Sequence, residues 1–500
     1  MIRIRRFSIH SVRPLGLALA GAALLASAPG AAQQPASAAP ALEMRPCELP
    51  GGRMARCGTY RPLENREQPD GRRIPIDVVV IPARSATPRP DPVFFAYGGP
   101  GQTATQGAGD WVGSDMNEAR DIVLVDQRGT SAAHALNCRL SGSPENPQGY
   151  LEPIFNAELF RRCRAELETR ADLTRYTTAD YVDDLDEVRR ALGYGQINIQ
   201  GGSYGSRVVL FYLRQYGQHA RTAFMTGIDP AASMRSPLFH ARDSQAALDS
   251  VFALCARDAG CARTFPNLPR EFAETMDRLR RQPASVTVPH PTTGAPLQLT
   301  LDANAFAEGV RVMMYNWDRS RRLPLLLHRA HGGDFVPFAQ AALASNAALR
   351  NMVRIGLGVS ALCYEDMPRI TEADIVAETR GTFLGDLRVR TQRAACAEWP
   401  RRDVATRAAE PVVSDVPALL VSGAYDPATA PRWGDVAART LRNSLHVVIP
   451  AAHTAGLPCV DRIRNEFLER ASVQGLDTSC VARMRLDPFI LTDEENRGTE

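Results

Sequence analysis

The chain has 500 residues, of which 44% are apolar and 23% are charged, a composition that excludes mainly disordered, fibrous and multi-span membrane proteins. The net charge is +3, and the first 32 residues contribute four arginines and no acid, so the remainder carries −1. This nearly neutral body argues against nucleic acid as a partner.

The first 32 residues have the three parts of a secretory signal peptide. A basic region extends to Arg13, an apolar run covers Leu15–Ala26, and small residues suited to cleavage lie at 26–28 or 30–32. The apolar run is short for a bilayer span, and the first cysteine, Cys47, lies too late to carry a lipid anchor. The sequence therefore predicts an exported protein, periplasmic or extracellular, without stable membrane association.

Short apolar runs then alternate with helical patterns. Strands are predicted at 76–81, 93–97, 122–125, 196–200 and 223–226. The runs at 93–97 and 122–125 are those expected of parallel strands buried on both faces. A helix is predicted over Thr178–Gly193, where the apolar side chains recur on one face, acids precede arginines and glycine closes the end. A second helix is predicted between Ser203 and Gly217. This alternation is typical of a parallel α/β sheet.

Between about Pro230 and Pro411 the pattern changes to long amphipathic stretches rich in arginine. We interpret this part as a mainly helical insertion, after which strands return at 418–422 and 445–449. The predicted organisation is a signal peptide at 1–32, a first part of an α/β core at 33–229, the insertion at 230–410 and a second part of the core at 411–500.

Ten cysteines follow the signal peptide, and an even number in an exported chain indicates disulfides. Their spacing suggests that neighbours pair: Cys47 with Cys57, Cys138 with Cys163, Cys255 with Cys261, Cys363 with Cys396, and Cys459 with Cys480. No C-x-x-C motif is present, and the pair His328 and His331 has no matching second half, so no metal or other cofactor is expected.

The segment Gly201–Gly205 has the pattern G-x-S-x-G, in which glycines let the chain turn sharply from a strand into a helix and expose the central serine. The pattern alone is common, so its context decides. A predicted strand ends at Gln200 and a predicted helix begins just after Gly205. Ser203 is therefore the candidate nucleophile.

A serine nucleophile needs a histidine base and a carboxylate that orients it, in the chain order serine, acid, histidine. Asp426 lies in a turn directly after the strand at 418–422, where ligand-facing residues of parallel sheets lie, whereas Asp415 precedes that strand. Two histidines follow Asp426. His446 falls inside a predicted strand and His453 in the loop beyond it, so we select Asp426 and His453.

The segment Tyr97–Gly101 contains two adjacent glycines directly after a predicted buried strand. Its backbone can approach a substrate closely, so the amide of Gly99 and the amide of Tyr204, the residue after Ser203, are the candidate oxyanion hole. A phosphate-binding loop is the competing interpretation, but the lysine and hydroxyl residue of that motif are missing.

Together these motifs resemble those of the α/β-hydrolase serine exopeptidases, the family of prolyl aminopeptidases and secreted tripeptidyl aminopeptidases. The resemblance covers most of 75–230 and 410–480. It is carried by Gly98–Gly101, Asp126–Ser131, Asp183–Leu185, Gly201–Gly205, and the turns with Asp426 and His453. It implies an α/β-hydrolase fold with a helical cap, nucleophile Ser203, acid Asp426 and base His453.

In the family that this chain resembles, an acidic cap residue commonly holds the free amino terminus of the substrate. The stretch Leu362–Asp366 is similar to the corresponding stretch of secreted members, so Glu365, and second Asp366, are candidates for this role. Tyr97 stands where prolyl enzymes usually have histidine, which together with the many cysteines favours the tripeptidyl group.

These observations predict a serine aminopeptidase that acts on peptides with a free amino terminus through an acyl-enzyme. A carboxylesterase of the same fold is the nearest alternative, because a triad and an oxyanion hole hydrolyse esters and amides alike. A binding protein that keeps the scaffold without catalysis is a third alternative, which the complete serine, acid and histidine set disfavours. The oligomeric state is left open.

Overall fold

Within residues 42–402, 409–453 and 456–497, which the computed structural model describes, eleven strands form two sheets. The predicted signal peptide lies outside the described residues. The strands are β1 (Arg45–Glu48), β2 (Met54–Tyr60), β3 (Ile76–Ile81), β4 (Val93–Ala96), β5 (Ile122–Val125), β6 (Ile197–Gly202), β7 (Ala220–Thr226), β8 (Ala284–Pro289), β9 (Pro296–Leu301), β10 (Ala418–Gly423) and β11 (Ser444–Ile449).

The main sheet has the order β1-β2-β3-β5-β4-β6-β7-β10-β11. Strands from β5 to β11 in this order run parallel to their neighbours, whereas β1, β2 and β3 pair antiparallel. Every residue of β5 and β10 is buried, as apolar strands covered on both faces require. The seven predicted strands are confirmed, with ends that differ by up to three residues, and β1 and β2 were not predicted.

Sixteen α-helices lie within the described ranges. They are α1 (Ala157–Leu167), α2 (Thr178–Ala191), α3 (Tyr204–Tyr216), α4 (His240–Arg257), α5 (Ala259–Thr264), α6 (Leu268–Arg281), α7 (Ala303–Met313), α8 (Trp317–Ser320), α9 (Leu323–His331), α10 (Val336–Asn351), α11 (Ile355–Glu365), α12 (Glu372–Thr379), α13 (Leu387–Ala397), α14 (Pro431–Ala438), α15 (Pro458–Arg470) and α16 (Asp493–Arg497).

Helices α2 and α3 confirm the two predicted helices. The side chain of Thr177 caps the amino end of α2 by accepting a hydrogen bond from the Asp180 amide, and Gly193, with φ +78°, follows its carboxyl end. The apolar face of α2 packs with α3 against the main sheet. This packing fixes the position of α3, whose amino end carries the predicted nucleophile.

The described part of the segment between β7 and β10 holds ten helices and the antiparallel hairpin β8–β9, which was not predicted. It has its own hydrophobic cluster, built around Phe272, Phe306 and Phe338. The predicted fold class, a mostly parallel sheet flanked by helices with a mainly helical cap insertion, is thereby confirmed. The described residues belong to one compact unit, Pro40–Glu500, and the exact domain boundaries stay a prediction.

Five disulfides join the ten cysteines in the pairing suggested by their spacing. The bridge between Cys363 and Cys396 connects α11 with α13, and both sulfurs are buried. His328 and His331 on α9 each contact a glutamate of α6. No helix in the described ranges is long and apolar enough to cross a membrane.

Replacing Cys363 and Cys396 together by alanine is expected to lower the free energy of unfolding by about 3 to 4 kcal/mol, because the bridge closes a loop in the unfolded chain with a sequence separation of 33 residues. The matched control replaces Cys255 and Cys261, which are equally buried but only 6 residues apart, and should cost about 2 kcal/mol. Urea unfolding measures both. A larger loss for the shorter loop would contradict the prediction.

Candidate active site

Ser203 stands at the turn between β6 and α3 with φ 56° and ψ −130°. A non-glycine residue in this region of backbone space costs about 1 to 3 kcal/mol and persists only where the surroundings impose it. The Ser203 amide donates to the Thr226 carbonyl of β7 (2.9 Å), and the Ser203 carbonyl accepts from the Ser206 amide (2.8 Å). The predicted nucleophile therefore occupies a strained turn that is held from both sides.

The two glycines of the turn are required by close packing. A Cβ atom on Gly201 would collide with the Gly205 carbonyl, and one on Gly205 would collide with the Ala96 carbonyl at the end of β4. Because α3 lies this near to β4, the chain can leave β6 and enter the helix with no intervening loop. Both glycines of the G-x-S-x-G pattern are therefore needed because no side chain fits at either position, in addition to the sharp turn that the pattern allows.

Asp426 and His453 meet beyond the ends of β10 and β11, which are neighbouring parallel strands. The Nδ1 atom of His453 lies 2.8 Å from Oδ2 of Asp426. Asp426 is buried, and burial alone would raise the pKa of its carboxyl, but the attraction and hydrogen bond of His453 and the hydrogen bonds from Thr429 lower it below its ordinary value. The carboxylate is therefore ionised beside the imidazole.

Thr429 completes this arrangement, and sequence reasoning missed it. Its hydroxyl donates to Oδ2 of Asp426 (2.7 Å) and also lies 3.1 Å from Nδ1 of His453. The amides of Ala428 and Thr429 both donate to Oδ1 of Asp426 (2.8 Å each). Every carboxylate oxygen is thus fixed by the turn that carries it, and the D-x-x-T spacing was the available signal.

Ser203 and His453 line the same cavity, which has a volume of about 610 Å³, within the usual range of ligand sites. Gly98, Gly99 and Tyr204 line it as well, whereas Asp426 lies behind His453. On the cap side, Tyr315 packs its ring edge-to-face against His453 with ring centroids 4.9 Å apart. Nothing in the sequence pointed to Tyr315.

The turn at Gly98–Gly101 lies against Ser203, since a Cβ atom on Gly98 would be 3.3 Å from the Ser203 Cβ. Gln127 holds this turn. Its Nε2 donates to the carbonyls of Tyr97 (3.1 Å) and Gly98 (3.0 Å), and its Oε1 accepts from the Gly101 amide (3.0 Å). Gln127 belongs to the segment Asp126–Ser131 that carried the resemblance, but no sequence feature indicated its role.

The next residue, Arg128, joins this segment to α2. Its Nε and Nη2 donate to the two carboxylate oxygens of Asp184 at 2.7 and 2.8 Å, and both side chains are fully buried. Two segments that carried the resemblance, Asp126–Ser131 and Asp183–Leu185, are therefore in direct contact. A buried bidentate pair of this kind sets orientation as well as charge balance.

A family model described as the α/β-hydrolase fold matches residues 91–457. The chain belongs to this α/β-hydrolase family. The serine protease Hip1 of Mycobacterium tuberculosis is 25% identical over 472 residues, which cover 85% of this chain and 88% of that protein. Carboxylesterase B of the same organism is 26% identical over 451 residues, 83% of this chain and 85% of that protein.

A third relative is the proline iminopeptidase of Neisseria gonorrhoeae, 27% identical over 144 residues, which cover 29% of this chain and 34% of that protein. The relatives of this α/β-hydrolase thus include peptidases as well as an esterase. The predicted resemblance to α/β-hydrolases that include proline iminopeptidase is confirmed.

Glu365 and Asp366 are buried at the carboxyl end of α11, and neither is among the described residues that line the cavity. Both oxygens of Glu365 accept hydrogen bonds from Thr178, and one also accepts from Arg207 (3.2 Å). Asp366 accepts from Arg207 (3.0 Å) and Arg369 (2.9 Å). The two carboxylates thus face arginines of the hydrolase itself, and the amine-binding role of these acids stays a prediction.

Asp229 is the member of this cluster that lines the cavity. Its two oxygens accept from Nε (3.0 Å) and Nη2 (2.9 Å) of Arg207. Three carboxylates thus share Arg207 and Arg369. Burial, reinforced by the charges of Asp229 and Glu365, raises the pKa of Asp366 above its ordinary value despite the two arginines.

His446, which sequence analysis set aside, lies in β11 with Nδ1 2.8 Å from Asp435 and Nε2 2.9 Å from the Ser422 hydroxyl. Asp415 pairs with Arg442 at the surface, before β10. The structure therefore places neither of these alternatives beside Ser203.

Replacing Gln127 by glutamate is expected to lower kcat about 10- to 100-fold with a smaller change in KM, because an acceptor then faces the carbonyls of Tyr97 and Gly98 and shifts the turn beside Ser203. Turnover of a small acyl ester measures the effect. The matched control, Gln196→Glu, removes a similar amide donor at the exposed amino end of β6. Equal rates for both variants would contradict a positioning role for Gln127.

Proposed function

We propose that this α/β-hydrolase is a serine aminopeptidase that releases residues from the free amino terminus of peptides. The observation that carries the proposal is the hydrogen-bonded pair of Asp426 and His453, which opens onto the same cavity as the strained Ser203. Peptidases among the relatives support a peptide substrate.

In the proposed mechanism, the Ser203 hydroxyl attacks the scissile carbonyl while His453 takes its proton. Asp426 holds the imidazole with Nδ1 protonated and stabilises the positive charge that develops on it. His453 then gives the proton to the departing amine, and an acyl-enzyme remains on Ser203. Water, activated by the same imidazole, releases the acyl product.

The negative oxygen of each tetrahedral intermediate is proposed to meet the amides of Gly99 and Tyr204. Tyr204 is the first residue of α3, and a first-turn amide has no partner inside its helix. The Gly99 amide makes no hydrogen bond within the described part of the chain. Both donors line the cavity beside Ser203, and Gln127 keeps the Gly99 segment in place.

The free amine of the substrate is proposed to bind at Asp229, with Glu365 and Asp366 acting behind it. Asp229 faces the cavity, and the three carboxylates outnumber Arg207 and Arg369 by one. An ammonium group that enters beside Asp229 balances this excess. The acidic end of the cavity therefore favours a substrate with an unblocked amino terminus.

Export is part of the proposal. The signal peptide predicted at 1–32 supports it, and five disulfides are typical of proteins from oxidising compartments. The alternative activity is a carboxylesterase, which the similarity to carboxylesterase B favours. Substrate tests separate the two.

Purified mature protein should hydrolyse anilides of alanine, proline or a tripeptide with a free amino terminus, and should fail on the same tripeptide with an acetylated terminus. Ser203→Ala should lower kcat at least about 10⁴-fold, whereas Ser250→Ala on α4 should leave it unchanged. A chromogenic assay measures both. Turnover confined to a short acyl ester would assign the protein as a carboxylesterase.

Asp229→Asn is expected to lower kcat/KM for a free aminoacyl anilide about 10- to 100-fold more than for a small ester without an amine, because the amine loses a charged partner. The matched control is Glu365→Gln, which weakens the same Arg207 from a position outside the cavity. Its selective loss for the anilide should be smaller than that of Asp229→Asn, because Glu365 lies behind Asp229 and does not line the cavity. A selective loss in Glu365→Gln with none in Asp229→Asn would instead restore Glu365 as the amine-binding residue.

A further inference from the structure

The cap side of the cavity carries charge of the opposite sign. Helix α13 contributes Arg388 and Gln392 to the cavity lining. The two residues are four positions apart, so their side chains lie one above the other on the same face of the helix. Arg319, after the start of α8, lines the cavity as well.

The positive charge of Arg388 is only partly balanced. In the described part of the chain, Glu308 is the one carboxylate that forms an ion pair with Arg388 (3.0 Å), and it is already held bidentate by Arg311 (2.6 and 2.7 Å). Arg350, a further neighbour of Glu308, donates to backbone carbonyls. Glu308 thus balances both Arg311 and Arg388, whereas Arg350 is also attracted by Glu152.

The pKa shifts of Arg388 and Glu308 are those expected where positive charge is in excess. Burial, and then the charge of Arg311, lowers the pKa of Arg388. The pKa of Glu308 falls to about 2, because the attraction of Arg311 and Arg388 exceeds the effect of burial. An anion at Arg388 would therefore meet uncompensated positive charge.

Polar atoms without partners mark the same place. Among the described residues, Nε of Arg388 and both amide atoms of Gln392 are buried and form no hydrogen bond. Gln392 is only 1% exposed, and leaving its amide without partners costs free energy in the folded chain. Such groups are expected where a ligand supplies the missing hydrogen bonds.

His240 connects this place with the catalytic centre. It lines the cavity at the start of α4, its Nε2 lies 3.3 Å from the Ser236 hydroxyl, and its Nδ1 is buried without a partner in the described chain. Burial, followed by the charges of Arg388 and Arg311, lowers its pKa well below the ordinary value, and His453 contributes to the same shift. His240 is therefore neutral and within electrostatic range of both Arg388 and His453.

We propose that Arg388 and Gln392 form a subsite for the carboxy-terminal residue of a short peptide, in which Arg388 binds the terminal carboxylate and Gln392 binds the adjoining peptide group. A guanidinium offers paired donors that match the two oxygens of a carboxylate. A primary amide offers one donor and one acceptor, as a peptide group requires.

This inference rests on the proposed function and narrows its substrate class. Asp229 supplies negative charge and Arg388 positive charge to one cavity of about 610 Å³. A cavity of this kind is complementary to a small zwitterion, with an ammonium at one end and a carboxylate at the other. The substrates are thus short free peptides, and longer chains or blocked carboxyl ends are disfavoured.

The test compares trialanine with trialanine amide, with release of amino-terminal product followed by chromatography. Wild-type protein should show a kcat/KM about 10- to 100-fold higher for the acid. Arg388→Gln should bring this ratio close to one. Arg390→Gln, on the same helix but paired with Glu372 and Asp386 at the surface, should keep the wild-type ratio. Equal rates for acid and amide in the wild-type protein would overturn the proposal without reference to any variant.

Two further arms sharpen the result. A tripeptide amide that ends in aspartate carries a side-chain carboxylate but no terminal one. If the protein prefers this peptide and does not prefer trialanine acid, Arg388 does not bind the terminal carboxylate and the proposal is overturned. Arg388→Lys should keep part of the acid preference, because the charge remains. The proposal would be overturned if the preference for the acid were lost in Arg388→Gln, were not regained in Arg388→Lys, and were lost equally in Arg390→Gln. That result would show a structural effect only.

Labelling of Ser203 with a fluorophosphonate distinguishes failure of the proposed aminopeptidase activity from failure of the proposed carboxylate subsite. Trialanine acid should slow this labelling at concentrations about 10- to 100-fold lower than trialanine amide, even if neither peptide is cleaved. Protection by the acid without cleavage would refute the aminopeptidase and support the subsite. Equal protection by acid and amide would refute the subsite alone.

Discussion

The close approach of α3 to the end of β4 is the constraint on which the site depends. Gly205 lies so near the Ala96 carbonyl that no side chain fits between them, and this contact brings the strained Ser203 to the carboxyl edge of the sheet. The same edge receives the turns that follow β4, β10 and β11. Ser203, the glycine turn and the Asp426–His453 pair therefore lie at one edge of the sheet.

Buried arginine dominates the electrostatics of the molecule. The sequence has no lysine, and Arg128, Arg207 and Arg311 are fully buried, each with at least one bidentate carboxylate partner. A guanidinium stays charged and directs several donors at fixed angles. A buried arginine can therefore be part of a group of side chains whose net charge is not zero. The net charge is negative in the group around Arg207 and positive in the group around Glu308. The cavity is lined by one member of each group, Asp229 and Arg388.

The core of the fold was predictable because its information is local. Continuous apolar runs identified the parallel strands, and chain order together with position after a strand singled out Ser203, Asp426 and His453 for the site. The hairpin β8–β9 and the contacts of Glu365 were not predictable, since they depend on how the insertion folds back on the sheet. Gln127 and Tyr315 contact neighbours that are distant in sequence, and no periodicity records such contacts.

The bridge between Cys363 and Cys396 acquires a further meaning in this context. Helix α11 ends in Glu365, which shares Arg207 with Asp229, and α13 carries Arg388. The covalent link therefore ties together the supports of the acidic and the basic ends of the cavity. If the proposed substrate is correct, this link restricts how far the ammonium-binding and carboxylate-binding groups can move apart, and so restricts the length of peptide that fits between them.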